Sequence, residues 1–429
     1  MTIKVKIMQP GDESSWDAYV QTHPNAAPYH LSGWKKVIEK TYGHKSYYLM
    51  ALKNSLHLSA MRRVDEQFDQ KAHCPEFIEG LTSSRSKLDF DRNPIVGILP
   101  LFHLKHFLFG NSLVSIPFFD MAGILANDEE AERALISEAI KIGKRLGVDQ
   151  IELRQPTPLS CFTGKPPMSS VNSINPTNPI NPSNPINSSN PINPSNSSNP
   201  TNPMNPINIS MKSKKTRMLL SLPDSPETLL KSFKSKLRSQ IKRPIKEGLC
   251  AKAGGIELLE DFYKVFLINM RELGSPVHSK KIMKYVLEVF VEQSKIIIVY
   301  NKSEPLACSL ICAYKNTLQN PWSSALRQHS TVSANMFLYW KMLEYACEKG
   351  LKYFDFGRST PEEGTYKFKE QWGAKPIPLY WYYISLNDST EHKPGSEKEK
   401  FEKAINYWKK LPLPITRILG PMIRKHIAL

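Results

Sequence analysis

From Asn172 to Asn208 asparagine returns at every third position, with Pro, Ser, Thr, Ile and Met between (NPTNPINPSNPINSSNPINP). Proline fixes φ and removes a backbone donor, so this run can be neither helix nor interior strand. Its apolar side chains are too few and too dispersed to form a core. The three-residue period suits polyproline II, and the lack of glycine excludes a collagen triple helix. The run reads as a flexible tether or a tolerated repeat insertion without chemistry of its own. The chain has 429 residues, enough for two ordinary domains, and this run is its clearest boundary.

The segments on either side repeat one order of elements. The first predicts a strand at IKVKIM, helices at ESSWDAYVQT and SGWKKVIEKTY, and a hairpin from SYYLMALK and IVGILPLFHL. A strand at NSLVSIPFF, a helix at DEEAERALISEAIKIGKRLG and a strand at DQIELRQ follow. Asp128-Glu129-Glu130 and Gly147 are the start and stop signals of that helix. Residues 59–94, mixed in charge and without a sustained period, read as a surface insertion between the hairpin strands.

The second segment predicts a strand at TRMLLSL, a basic helix at SPETLLKSFKSKLRSQIKRP and a helix at GIELLEDFYKVFLINMRELG. Strands at KIIIVYN, LACSLICAY and SSALRQ lead into an apolar helix at SANMFLYWKMLEYACEKG, then strands at LKYFDFG and PLYWYYIS. Helices, a hairpin and strand–helix–strand, occurring twice, predict a duplicated mixed α/β (α+β) unit, each a twisted sheet flanked by helices. The expected divisions are 1–160, a linker over 161–211, a second domain over 212–388 and a basic tail over 389–429.

Lysine and arginine exceed aspartate and glutamate by 57 − 40 = 17, with a pI near 9.4. Such an excess favours anionic partners such as nucleic acid, an anionic membrane surface or a phosphorylated substrate. The N-terminal MTIKVKIMQPGDESSW lacks a signal peptide's apolar core, and no run reaches the roughly 20 apolar residues of a membrane span. Cys74, Cys161, Cys250, Cys308, Cys312 and Cys347 are scattered, without a C-x-x-C pair or a histidine at zinc spacing. No metal is expected, and a reduced cytoplasmic compartment fits. Cys308 and Cys312 would share one strand face, as packing residues.

The chemistry concentrates after the second apolar helix. In FDFGRSTPEEGTYKFKEQWGA, Asp355-Phe356-Gly357 spells a kinase motif, but no G-x-G-x-x-G or H-R-D loop precedes it. Asp355 at a strand end can orient an acceptor, serve as base, or pair with Arg358. Arg358 can clamp a phosphate or carboxylate in a bidentate fork. Tyr366, Lys367, Lys369 and Trp372 follow, the first two and Trp372 as candidate substrate contacts; the two lysines share a face only if the segment is extended.

Arg327 is expected near the end of the strand before the apolar helix, and Asn335 at that helix's start, as a cap or a ligand contact. The helix N-terminus would favour a phosphate or carboxylate, although QHSTVSAN holds no glycine. Asn269 and Arg271, at the end of the helix that Gly274-Ser275-Pro276 closes, are candidate substrate contacts, and His278 is a base or a structural histidine. Trp34 reads as packing, while Tyr42 and His44 have no assigned chemistry. The basic run 231–248 would grip a tRNA backbone, coenzyme A phosphates or a lipid pyrophosphate, or stay solvated. The C-terminal stretch would touch an anionic membrane face or pack on the second domain.

HLSGWKKVIEKTYGH, GILPL, NMRELGSPVHS, NMFLYWK, FDFGRSTPEEGTYKFKEQWGA and WYY, in that order, resemble the FemAB-related proteins of the PEP-CTERM/exosortase (XrtA) system. The resemblance implies two GNAT-like domains and transfer of an acyl or aminoacyl group to an amine or hydroxyl. The donor would be acyl-CoA or aminoacyl-tRNA. The acceptor would be related to the envelope or exopolysaccharide, a small molecule or a lipid-linked saccharide, met in the cytoplasm or at the inner membrane. Phe368-Lys369 matches the acceptor-site F-K pair of Fem transferases, so Lys369 would neutralise developing negative charge. The alternative is a non-catalytic module that holds an anionic lipid-linked saccharide or tRNA, suggested by the absent glycine loop.

Overall fold

A computed structural model describes residues 2–53, 94–106, 109–163, 208–212, 214–387 and 395–428. The insertion expected at 59–94 and the Asn/Pro run lie outside them, except for Pro94 and Asn208. The first segment folds as β1 (Ile3–Ile7), α1 (Glu13–Thr22), α2 (Gly33–Tyr42), β2 (Ser46–Lys53), β3 (Ile95–His106), β4 (Gly110–Val114), β5 (Leu125–Ala126), α3 (Glu129–Leu146), β6 (Gln150–Gln155) and α4 (Ser160–Thr163). The second opens with β7 (Asn208–Lys212), β8 (Thr216–Ser221), α5 (Pro226–Ser232), α6 (Ser235–Lys246), β9 (Leu249–Gly254), α7 (Leu259–Leu273) and α8 (Lys280–Val289). It continues with β10 (Ser294–Asn301), β11 (Glu304–Tyr314), β12 (Thr317–Ala325), α9 (Ala334–Glu348), β13 (Tyr353–Ser359), α10 (Gly364–Glu370), β14 (Lys375–Pro378) and β15 (Tyr380–Ser385). Two helices, α11 (Gly395–Lys410) and α12 (Leu413–Arg424), follow.

The strands build two mixed sheets. One runs β1-β2-β3-β4-β6-β15-β7, with β5 beside β3, and the other β14-β8-β13-β12-β11-β10-β9. Their central strands read as unbroken apolar runs because both faces are covered. In β2, Tyr47, Leu49 and Ala51 face the core under α3, while Tyr48 and Met50 face the layer between the sheets. In β10, Ile296 and Ile298 face that same layer, and Ile297 and Val299 face the core under α9. The shared layer takes one stripe each of α1, α2, α7 and α8, with Trp34 packed on Phe290 at 5.0 Å between ring centroids. The two halves therefore share one continuous core. Cys308 and Cys312 both belong to it, and burial pushes both thiols up, Cys312 to about 12.

Several expectations are corrected. The strand at 380–385 does not close the second half; it joins β6 of the first sheet from Tyr380↔Gln155 to Ser385↔Gln150. Its outer neighbour is β7, so the expected linker ends in an ordered strand. The basic helix is two helices, parted where Phe233 and Lys234 turn extended and Phe233 packs edge-on against Trp372. Pro244 sits inside α6, which runs past it to Lys246. The strand expected at 323–328 starts at Thr317 and stops at Ala325, which leaves Arg327 in a 3₁₀ turn (Arg327–Val332). Strand β9 and helix α8 had no counterpart in the sequence reading. Among the described residues, no helix is long and apolar enough to cross a membrane.

Candidate active site

The site forms where two parallel strands part. β12 and β13 pair at Thr317↔Tyr353, Leu318↔Phe354 and Gln319↔Asp355, and there the pairing ends although both strands continue. Beyond that point β13 is also irregular against β8, between Asp355 and Arg358. Gly357 allows it with φ of +73°, a conformation that side chains rarely adopt. Asp355 holds the bend by accepting a bond from the Gly357 N–H at 2.8 Å. Phe356 stacks on Tyr339 at 5.5 Å. D-F-G is thus a local device for ending a strand pair: a pin, a packing residue and a hinge.

Lys369 fixes the same bend from the opposite side. Its Nζ donates to the Gly357 carbonyl at 3.1 Å and the Arg358 carbonyl at 2.7 Å. The segment is helical, so the two lysines diverge: Lys367 is exposed and Lys369 is 8% exposed. Burial lowers the Lys369 ammonium to about 8, against the pull of Asp355 and Asp120.

The expected Asp355–Arg358 pair does not form. Asp355, 2% exposed, pairs with Arg217 of β8 at 2.8 Å. Arg358 instead faces Asp120 of the first half at 3.4 Å, its guanidinium over the Trp381 ring at 5.2 Å. Asp120 sits in the otherwise apolar IPFFDMAG, and burial raises its carboxyl above the ordinary range. A carboxylate inside an apolar run was the one sequence signal that could have found it.

Two cavities meet at Ser323 and Lys369. One, of about 310 Å³, lies between the halves and is lined by Asp120, His278, Asp355, Arg358 and Arg424, among others. The other, of about 610 Å³, lies at the start of α9 and is lined by Asn269, Arg327, Asn335, Tyr339, Phe368 and Lys369, among others. Asn335 does not cap α9. Ser333 holds that position with φ of +56° and makes no side-chain capping bond, and no acidic residue occupies the first turn.

The remaining candidates separate. Asn269 spends its amide on the Ala325 carbonyl at 3.0 Å, which ties α7 to the end of β12. Arg327 is exposed at the larger cavity. Arg271 lines neither cavity. Trp372 is fully buried in the core beneath α9, and Tyr366 packs against that core. Trp34 is buried too, its indole donating to Pro28 at 3.0 Å.

His278 is buried between the halves and the tail. Arg424 Nε donates to its Nε2 at 3.0 Å, and its Nδ1 lies 3.0 Å from the Tyr42 hydroxyl. Desolvation keeps the ring neutral, so the Nε2 acceptor implies that Nδ1 carries the proton and donates to Tyr42. His44 meets the Lys425 carbonyl at 2.7 Å. These are structural contacts that close one wall of the smaller cavity. Among the described residues, no group of three or more His, Cys, Asp or Glu could hold a metal ion.

The parallel pair parts beside the N-terminus of α9. Residues 231–370 match the acetyltransferase (GNAT) domain family. The second half is therefore GNAT-like, and the first repeats its strand–helix–strand unit. The crystal structure of FemX superposes with a TM-score of 0.54 at 13% identity, covering 90% of this chain and 98% of its own. A tandem GNAT protein from the clavulanic acid biosynthesis pathway gives 0.46 at 10%, covering 91% and 100%. L-PGS from Bacillus licheniformis gives 0.42 at 12%, covering 78% and 87%. None of the curated proteins matches the chain.

Proposed function

We propose that the protein is an acyltransferase that passes an acyl or aminoacyl group to an amine or hydroxyl, with the reaction centred on Lys369. The observation that carries this reading is the meeting of two cavities at Ser323 and Lys369, one at an uncapped helix N-terminus and one lined by paired charges. The larger cavity takes the donor, whose phosphates find the free N–H groups of α9 and the exposed Arg327. Gln240 of basic helix α6 lines its edge, which suits a phosphate-rich donor, acyl-CoA or aminoacyl-tRNA. The smaller cavity takes the acceptor, of the envelope or exopolysaccharide kind that the family resemblance implies.

The acceptor nitrogen or oxygen bonds to the donor's carbonyl carbon while its proton passes to Asp120, the half-buried carboxylate with raised affinity for it. Lys369, still a cation near neutrality, steadies the negative charge on the former carbonyl oxygen. The bond to the leaving sulfur or oxygen then breaks, and the leaving group takes up the proton. Asp355, already engaged with Arg217 and the Gly357 amide, positions this strand end and does not serve as base.

A thermal-shift comparison of acyl-CoA species with charged tRNA tests the reading. The true donor raises the melting temperature by mass action, and the Asn335→Glu variant shows a smaller shift at the same donor concentration. Stabilisation by neither donor class, or transfer unimpaired in Lys369→Ala, overturns it.

A further inference from the structure

We propose that helix α12 lays an exposed apolar face on an anionic lipid bilayer. Ile415, Ile418, Leu419 and Met422 recur at the spacing of one helical stripe. They point to solvent, with Ile418 66% and Met422 57% exposed. Tyr407 of α11 is 73% exposed. A helix apolar on this scale is ordinarily buried all round, and here only the opposite face is.

That opposite face is firmly seated. Thr416 and Gly420 are buried, and a Cβ on Gly420 would come within 2.9 Å of the Val277 backbone nitrogen, so the helix packs backbone to backbone. Beyond the helix, the Ala428 carbonyl accepts from Phe118 N–H at 2.6 Å and from Arg154 at 3.3 Å. The apolar stripe is therefore a fixed surface and not a fraying end.

Charge selects the occupant. Between 403 and 429 the chain carries Lys403, Lys409, Lys410, Arg417, Arg424 and Lys425 and no aspartate or glutamate. A second copy of the same patch would meet like charge, whereas an anionic bilayer supplies both an apolar interior for the stripe and counter-charge for the lysines. Twelve residues of helix reach about 18 Å, too short to span a bilayer and suited to lying in its surface.

Arg424, at the C-terminal end of α12, lines the cavity that also holds Asp120 and Lys369. Arg424 follows Ile415 at half a turn round the helix, at about 100° per residue, so it projects from the seated face and the stripe faces away from the cavity. The membrane contact stands on the tail alone and does not rest on the transferase reading.

The full chain is sedimented with vesicles of phosphatidylglycerol mixed into phosphatidylcholine and with pure phosphatidylcholine. It pellets with the first and not the second, and high salt releases it. Replacing Lys409 and Lys410 by alanine weakens binding roughly 20- to 30-fold, at about fivefold per charge. Ile418→Asp combined with Met422→Asp abolishes it; both sites are exposed, so folding is retained. Lys369→Ala still pellets, which separates a failed surface from a failed active site. Absence of vesicle binding, or binding indifferent to the α12 variants, overturns the proposal. So does a dimer in lipid-free buffer that the α12 variants dissociate.

Discussion

The two halves carry the same strand–helix–strand unit and use it oppositely. In the first, β4 and β6 pair at Ser112↔Gln150, Leu113↔Ile151 and Val114↔Glu152; in the second, β12 and β13 pair over the same number of residues. Past those pairs the first unit is filled. Arg154, almost fully buried, donates to the Ile116 and Phe119 carbonyls at 2.8 and 2.6 Å and pairs with Glu152 at 2.8 Å. Its helix is closed as well: Asp128 accepts from Ala131 N–H at 2.8 Å, with Glu129 and Glu130 in the first turn. In the second unit the same gap stays open, the helix start is uncapped and free of acids, and Lys369 guards the bend. One architecture thus serves as a closed support in one half and a cleft in the other, and the difference lies in a few polar side chains.

Breaking the filled gap should have the largest effect. Arg154→Met leaves Glu152 buried without its partner and should cost roughly 3–5 kcal/mol of stability, read as a fall in urea midpoint. Activity per folded molecule should be unchanged; selective loss of transfer would mean that Arg154, through its bond to the Phe119 carbonyl, also positions the neighbouring Asp120.

Breaking the open gap should spare the fold. Lys369→Ala should reduce transfer by about 100- to 1000-fold with an unaltered circular dichroism spectrum. In the native protein Lys369 is cationic below about 8, so transfer should fall about tenfold per pH unit above that value. Asp120 must be ionised to accept a proton, and its raised affinity moves the acid limb above the ordinary carboxylate range. The alkaline limb should vanish in Lys369→Ala; an unchanged pH profile would assign the limb to another group.

The comparison is sharpened by exchanging the helix starts. Asn335→Glu gives α9 the acidic first turn of α3 and should weaken donor binding about tenfold, seen in KM for the donor more than in kcat. Asp128→Ala opens the cap of α3 and should cost about 1 kcal/mol in thermal stability with no change in transfer. Equal effects of both substitutions on KM would erase the distinction between the halves.

Periodicity and turn chemistry are local properties, and they located most of the fold. The hairpin strands 46–53 and 95–106, α3 between its Asp128 cap and Gly147, and the nearly all-apolar α9 all lie where the sequence puts them. Strand β9, with only one buried side chain, and the break at Phe233 carry little local signal. The partner of β15 carries none, because its alternation shows that it is a strand and not which sheet it completes.

The site divides the same way. The stretch from Asp355 to Lys369 was legible as a strand end with charges beside a helix, and Asp355, Arg358 and Lys369 do come together. What they pair with was not legible. Arg217 and Asp120 approach from β8 and the first half, at separations in sequence that no motif spans. The amino-acid sequence alone determined two α/β units, a buried helix with a polar start and a basic, aromatic strand end. The tertiary structure decided which unit is open, because that depends on whether a long-range side chain such as Arg154 occupies the gap. It also decided the charge state of the lysine at the centre, since desolvation is a property of everything packed around it.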